Sequence, residues 1–284
     1  MAYRKHVDEH MQLYLQSNPD KKTLDLITLG LNHEQQHQEL MVTDVKYMLG
    51  HNSLLPKYKE DFNLVKDQNK YSNSVKIAAG IYEIGYQGDD FCYDNELGVH
   101  KVYLNDFEIQ NHLVTNGQFI EFMETGGYED FNLWLDEAWS WVKEHQVKSP
   151  LYWHKIAGEW HYYTMAGLQK VDKDAILSHV NYYEANAFAE WKGMRLPTEF
   201  EWEIAASQLD WGQRWEWTNS AYLPYPNFVK ENGAVGEYNG KFMLNKMVLR
   251  GASVATSPNH SRDSYRNFFN ASENWQFTGI RLAK

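Results

Sequence analysis

The chain has a single cysteine, Cys92, among its 284 residues. A disulfide framework within the chain is therefore excluded, and the composition suits a reducing compartment, which points to the cytoplasm. No apolar run approaches the ~18 residues that a membrane span requires. No signal peptide is legible, because the opening Met1-Ala2-Tyr3-Arg4-Lys5-His6 is polar from the start. Positive charge is scarce: 27 Lys and Arg stand against 38 Asp and Glu, a net charge of −11. That balance speaks against a nucleic-acid groove or an anionic membrane surface as partner. Internal repeats and low-complexity tracts are also missing. Aromatic side chains, by contrast, abound, with 11 Trp, 19 Tyr and 13 Phe. They imply a core built from large rings or a pocket lined with them.

A chain of this length accommodates one large core or two domains. Its character changes near residue 70. Residues 1–50 read as two helices, Tyr3 to Gln16 and Lys22 to Leu49. Asn18-Pro19-Asp20 makes the turn between them, Asp20 caps the second helix and Gly50 stops it. Residues 51–74 are polar and lysine-rich and read as a linker. From Val75 onward short strands, glycines and aromatics dominate, with two or three helices. Val75–Ile84 and Lys101–Ile109 read as strands. Val114–Thr125 and Tyr182–Lys192 read as helices, the latter ended by Gly193. Another runs from Pro197 to Ala206, with Thr198 as N-cap and Glu201 closing a capping box.

The richest short segment is His33-Glu34-Gln35-Gln36-His37-Gln38-Glu39, inside the second helix. Residues four apart share a helical face about one turn apart, so His33 and His37 can converge on one metal ion. The letters also satisfy His-Glu-x-x-His, with Glu34 as the base of a zinc hydrolase. The metzincin continuation, however, needs Gly and His where this chain has Leu40 and Thr43. Glu39 lies ~200° around the helix from His37, and Asp44 ~10 Å along it. Both are read as structural groups rather than ligands, so a third ligand must come from elsewhere in space.

Several motifs in order carry a resemblance. Arg195-Leu196-Pro197-Thr198-Glu199-Phe200-Glu201-Trp202-Glu203, Trp215-Glu216-Trp217-Thr218, Val248-Leu249-Arg250-Gly251-Ala252-Ser253 and Phe277-Thr278-Gly279-Ile280-Arg281-Leu282-Ala283 resemble the signature of the formylglycine-generating-enzyme, or sulfatase-modifying-factor, fold. That fold implies an α+β, C-type-lectin-like domain. In it, Arg195, Glu201 and Arg250 tie loops together, and Trp202, Trp215 and Trp217 fill core. The parent chemistry needs a cysteine pair in the C-terminal part, which this chain lacks. With the histidine helix in front, the chain is similar instead to the ergothioneine and ovothiol sulfoxide synthases. In these a DinB-like helical bundle precedes the formylglycine-enzyme-like domain. Phe91-Cys92-Tyr93-Asp94-Asn95-Glu96, Gly126-Gly127-Tyr128, Leu133-Trp134, Tyr152-Trp153, Glu237-Tyr238-Asn239-Gly240-Lys241-Phe242 and Tyr265-Arg266-Asn267-Phe268-Phe269 fit the same resemblance. The implied organisation is a partial helical bundle and linker over 1–70 and the larger domain over 71–284.

The resemblance implies a non-haem Fe(II), O2-dependent enzyme. It joins a thiol, cysteine or γ-glutamylcysteine, to the imidazole of histidine or Nα-trimethylhistidine and oxidises the sulfur to a sulfoxide. His33 and His37 match two of three histidine ligands. Gln36 and Asn267 match residues that contact the histidine-derived substrate. Phe268 and Phe269 match positions that vary with the thiol; Phe269 carries no charge and favours cysteine. Tyr238 matches a proton donor. In the family the third histidine sits on an earlier helix, and only 32 residues precede His33 here. The chain therefore reads as N-terminally truncated, with a partner chain or self-association covering the incomplete bundle. His6 and His10 are further ligand candidates. Two alternatives stand beside the synthase: a non-catalytic member of the fold that binds a ligand or partner, and a zinc hydrolase built on His33, Glu34 and His37.

Overall fold

The computed structural model describes residues 1–62, 67–230, 232–237 and 239–284. Two helices open the chain, α1 (Ala2–Gln16) and α2 (Lys21–Gly50). The Asp20 side chain caps α2 by accepting from the Thr23 amide at 2.8 Å. The remainder is a mixed α+β body. Its strands are β1 (Ser74–Ile77), β2 (Gly80–Ile84), β3 (His100–Leu104), β4 (Phe107–Gln110), β5 (Trp153–Ile156), β6 (Glu159–Thr164), β7 (Gly167–Lys170), β8 (Trp215–Ala221), β9 (Lys246–Gly251), β10 (Asn267–Asn270) and β11 (Thr278–Gly279). Its helices are α3 (Asn116–Glu124), α4 (Asp136–His145), α5 (Tyr182–Trp191) and α6 (Glu199–Ala205).

Three sequence expectations need correction. The strands read as Val75–Ile84 and Lys101–Ile109 are each broken in two. The chain bends at Ala78-Ala79 and at the turn-forming Asn105-Asp106, so that β1 pairs with β4 and β2 with β3, all antiparallel. The helix α4 adds a fourth to the two or three expected. The described part of the linker, finally, is laid onto the body. Asn69 exchanges hydrogen bonds with the Leu113 backbone at 2.8 and 2.9 Å. Asp67 accepts from Arg214 at 3.0 and 3.1 Å. Residues 63–66 lie outside the described residues.

The core follows the aromatic composition. Phe119, Phe122, Tyr128, Phe188 and Trp217 are all buried within the main cluster, joined by Trp215 and Phe277. A sheet in the order β10-β9-β8-β11 backs it, with β11 parallel to β8. A smaller cluster around Trp202 sits under β1, β4 and α6. The buried arginines of the body are paired with carboxylates, as burial demands. Arg281 meets Glu216 at 2.5 and 2.7 Å, and the Trp202 indole donates to the same carboxylate at 2.6 Å. Arg250 reaches Glu203 at 2.7 Å and Glu199 at 3.1 Å, and Arg195 holds Glu201 bidentately at 2.7 Å. These are the loop-tying roles the motif residues implied.

Candidate metal centre and its anchoring helix

Helix α2 is ~45 Å long at 1.5 Å per residue, yet only Thr43 and Lys46 on it are buried. Residues 39, 43, 46 and 50 recur at helical spacing and define the stripe that meets the body. Glu39 is the strongest fastener. Its carboxylate accepts from the Trp215 indole at 2.8 Å, the Ser253 hydroxyl at 2.6 Å and the Thr256 hydroxyl at 2.9 Å. Burial raises its pKa and these three donors oppose the rise. Lower on the stripe, Lys46 places Nζ 2.7 Å from His179 Nε2, within 5.0 Å of the Tyr152 ring centre and 4.9 Å of that of Phe277. Burial pushes both Lys46 and His179 toward their neutral forms.

One turn above Glu39 the contacts continue through glutamines. The Gln36 amide nitrogen donates to the Tyr265 hydroxyl at 2.7 Å. Gln35 Oε1 lies 2.9 Å from His260 Nδ1, and His260 Nε2 lies 3.4 Å from the same Tyr265 hydroxyl. Burial and the nearby Arg262 guanidinium push the His260 pKa down to about 4. This fixes the segment just before β10 against α2.

His33 and His37 sit on the flank of this stripe. Their Nε2 atoms are 2.9 Å apart and the rings meet at 82°. Two cis ligands at ~2.1 Å from one ion, at right angles, would be ~3.0 Å apart. That separation is the one two neighbouring ligands of a single ion would have, and here the two nitrogens stand within hydrogen-bond distance of each other. His33 is half-buried and His37 exposed. Among the described residues no group of three or more His, Cys, Asp and Glu is gathered for a metal. Glu34, the base of the zinc alternative, lies 3.9 Å from Arg4 at the surface. His6 and His10 meet along α1 with their rings tilted at 39° and centres 4.0 Å apart, and His10 Nδ1 lies 2.8 Å from the His6 carbonyl oxygen.

The C-terminal candidates divide. Asn267 opens β10 and its Oδ1 accepts from the Phe268 amide at 2.9 Å. Neighbouring strand residues face opposite sides, and the two phenylalanines obey this. Phe268 stacks on Tyr222 at 4.1 Å and 12°, whereas Phe269 meets Trp275 edge-on at 5.7 Å and packs on the main core. They do not wall one pocket together. Tyr238 lies outside the described residues. The sequence reading passed over His260, Tyr265 and Lys46 as site-forming groups. The legible signal was a polar stripe, Glu39, Thr43 and Lys46, at the spacing usually taken by apolar residues.

Residues 61–214, just over half of the chain, match the model of the sulfatase-modifying factor enzyme 1-like domain. The chain is 26% identical to a hercynine oxygenase of Mycolicibacterium smegmatis across 90% of this chain and 70% of that protein. It is 28% identical to a hercynine oxygenase of Mycobacterium tuberculosis across 69% of this chain and 56% of that protein. With the ergothioneine biosynthesis protein 1 of Schizosaccharomyces pombe it shares 26% identity across 68% of this chain and 28% of that protein.

Proposed function

Because the chain belongs to the sulfatase-modifying factor enzyme 1-like family, and its relatives include hercynine oxygenases, we propose that it serves in an Fe(II), O2-dependent sulfoxide synthase reaction. The reaction forms a C–S bond between a thiol and the imidazole of histidine or Nα-trimethylhistidine. The observation that carries this reading is the convergent His33–His37 pair, 2.9 Å apart, inside a match that extends over 90% of the chain. Residues 1–70 are the helical metal-binding region and linker in this reading, and 71–284 the formylglycine-enzyme-like domain.

His33 and His37 would hold the iron, with further ligands from outside the described cluster. When bound, Fe(II) supplies the site for O2 activation and a soft partner for the thiolate. The chain's own residues orient the reactants. Gln36, held at Tyr265, and Asn267 contact the histidine-derived substrate. Phe269 leaves the thiol side without charge, which suits cysteine, and Tyr238 donates a proton. Holding two reactants in line is worth several kcal/mol of barrier, so positioning by α2 dominates the rate. The test is anaerobic loading of the purified chain with Fe(II), followed by O2, cysteine and Nα-trimethylhistidine. Thiol-dependent O2 uptake and a sulfoxide of the coupled mass support the reading. Tightly held zinc with hydrolytic activity, or no metal at all, would overturn it in favour of the hydrolase or the non-catalytic binding module.

A further inference from the structure

Under the lower half of α2 the fold encloses a cavity of ≈ 10 Å³, room for one water-sized particle. Lys46 lines it from α2, Tyr152 from just before β5, Tyr163 from β6, and Ser178 and His179 from the segment before α5. Lys46, Tyr152, Ser178 and His179 are 1%, 6%, 6% and 3% exposed. Lys46 Nζ stands 2.7 Å from His179 Nε2, its one hydrogen-bond partner among the described residues. The hydroxyls of Tyr152 and Ser178 are buried and have no partner among them. No carboxylate lines the cavity. The charge that bears on Lys46 from outside is the Arg214 guanidinium, which has the same sign and is itself held by Asp67 at 3.0 Å. The other titratable groups around the cavity are the phenols of Tyr152, Tyr162 and Tyr163, none of them acidic near neutral pH.

We propose that this cavity binds one monatomic anion, a halide such as chloride, held by Lys46 Nζ and the hydroxyls of Ser178 and Tyr152. The lining is rich in donors. A protonated Lys46 has three N–H groups, and His179 takes one. A buried ammonium without a counter-charge is costly, and an anion beside it supplies that charge. The volume suits a single atom and excludes sulfate or phosphate. Anion and proton therefore enter together. Without the anion, burial turns Lys46 toward its neutral amine; with it, the ammonium is restored. Because Lys46 belongs to the stripe by which α2 meets the body, occupancy tightens the lower half of the histidine helix. The site lies nine residues, ~14 Å, along α2 from His37, and it does not rest on the proposed function.

The full chain, exchanged into sodium gluconate, is titrated with sodium chloride and sodium bromide at constant ionic strength, and its melting midpoint is followed at pH 7 and pH 9. A midpoint that climbs and then saturates is expected, because a ligand bound only to the folded state stabilises it by mass action. Uptake of one proton weakens binding up to ~10-fold per pH unit once the free amine is neutral. The apparent affinity should therefore fall ~10-fold or more between pH 7 and pH 9. Ser178→Ala and Tyr152→Phe each delete one donor and should weaken binding about tenfold, the order of one hydrogen bond. Lys46→Met should abolish the response. Crystals soaked in bromide should show an anomalous peak beside Lys46 Nζ. Midpoints that coincide in halide and gluconate, a response that survives Lys46→Met or is equal at the two pH values, or a water in the cavity of bromide-soaked crystals overturns the proposal. Should Lys46→Met fail to fold, the two hydroxyl deletions and the pH dependence decide.

Discussion

Replacing Glu39 tests how the histidine helix is held. In Glu39→Ala three donors lose their acceptor at once. The Trp215 indole N–H has no second partner among the described residues, and leaving such a group buried and unpaired costs ~1–3 kcal/mol. The hydroxyls of Ser253 and Thr256 stand 3.3 Å apart and can bond each other, so each loses nearer ~0.5–1 kcal/mol. Release from carboxylate burial offsets part of this, and a small cavity adds to it, for a net loss of ~2–5 kcal/mol. In Glu39→Gln the amide oxygen still accepts from Trp215 and Ser253, and Thr256 need only rotate its hydroxyl to accept from the new NH2. That variant should lose under ~1 kcal/mol. Urea denaturation followed by tryptophan fluorescence gives the global value, and hydrogen exchange along α2 gives the local one. The pH dependence adds a check. The folded pKa of Glu39 is raised, so the wild type loses stability as pH climbs from the ordinary carboxylate range through that value. Glu39→Gln should gain on the wild type over that interval. An Ala variant as stable as the Gln variant, with unchanged exchange in α2, would refute the anchoring role.

Three further outcomes are expected. Glu184 is buried beside the Tyr128 hydroxyl at 2.5 Å and its pKa is pushed up to about 7. Its raised pKa means stability is greatest in acid and lost between pH 4.5 and 7, so Glu184→Gln should improve relative to wild type by about 3 kcal/mol from pH 4.5 to 8; a constant difference in denaturation midpoints would contradict this. Lys46, buried with a lowered pKa, has the opposite sign, since the unfolded chain binds the extra proton and wild-type stability rises toward pH ~10. Lys46→Met should therefore compare best with wild type in acid and worst in alkali, as melting curves at pH 6 and 9 would reveal, and parallel curves would count against it. For the thiol, Phe269→Asp should raise use of γ-glutamylcysteine over cysteine by ~10-fold or more, the scale of one charge-assisted hydrogen bond. Competition between the two thiols reads this out, and an unmodified protein already preferring γ-glutamylcysteine would defeat the assignment.

Much of the fold was legible because its signals are local. The two opening helices, their turn and the Asp20 cap follow from periodicity and capping chemistry, as do α5 and α6. The loop-tying roles of Arg195, Glu201 and Arg250 were implied by motif order, whereas the partners of the buried arginines, Glu199, Glu203 and Glu216, were not. The kinks in the first two strand pairs were passed over, although Asn105-Asp106 is a local turn signal; what no local pattern encodes is that the two halves of each segment pair with different partners. Helix α4 was missed for want of a capping side chain at Leu135, which makes no cap bond. In the site, the His33–His37 geometry follows from helical spacing alone. The contacts of Gln35 and Gln36 with His260 and Tyr265 join residues more than 220 positions apart, and no local pattern encodes them. The opposite facing of Phe268 and Phe269, by contrast, follows from strand alternation once β10 is recognised.

The central claim is that His33 and His37 together hold iron. Titration of the purified chain with Fe(II) under argon, alongside His33→Ala and His37→Ala, tests it most directly. The account predicts one Fe(II) per chain, bound weakly enough for a chelator to remove because only two imidazoles are in place, and weakened at least ~10-fold further by either substitution. Fe(II) binding unchanged in both variants, or a chelator-resistant stoichiometric iron, would contradict it.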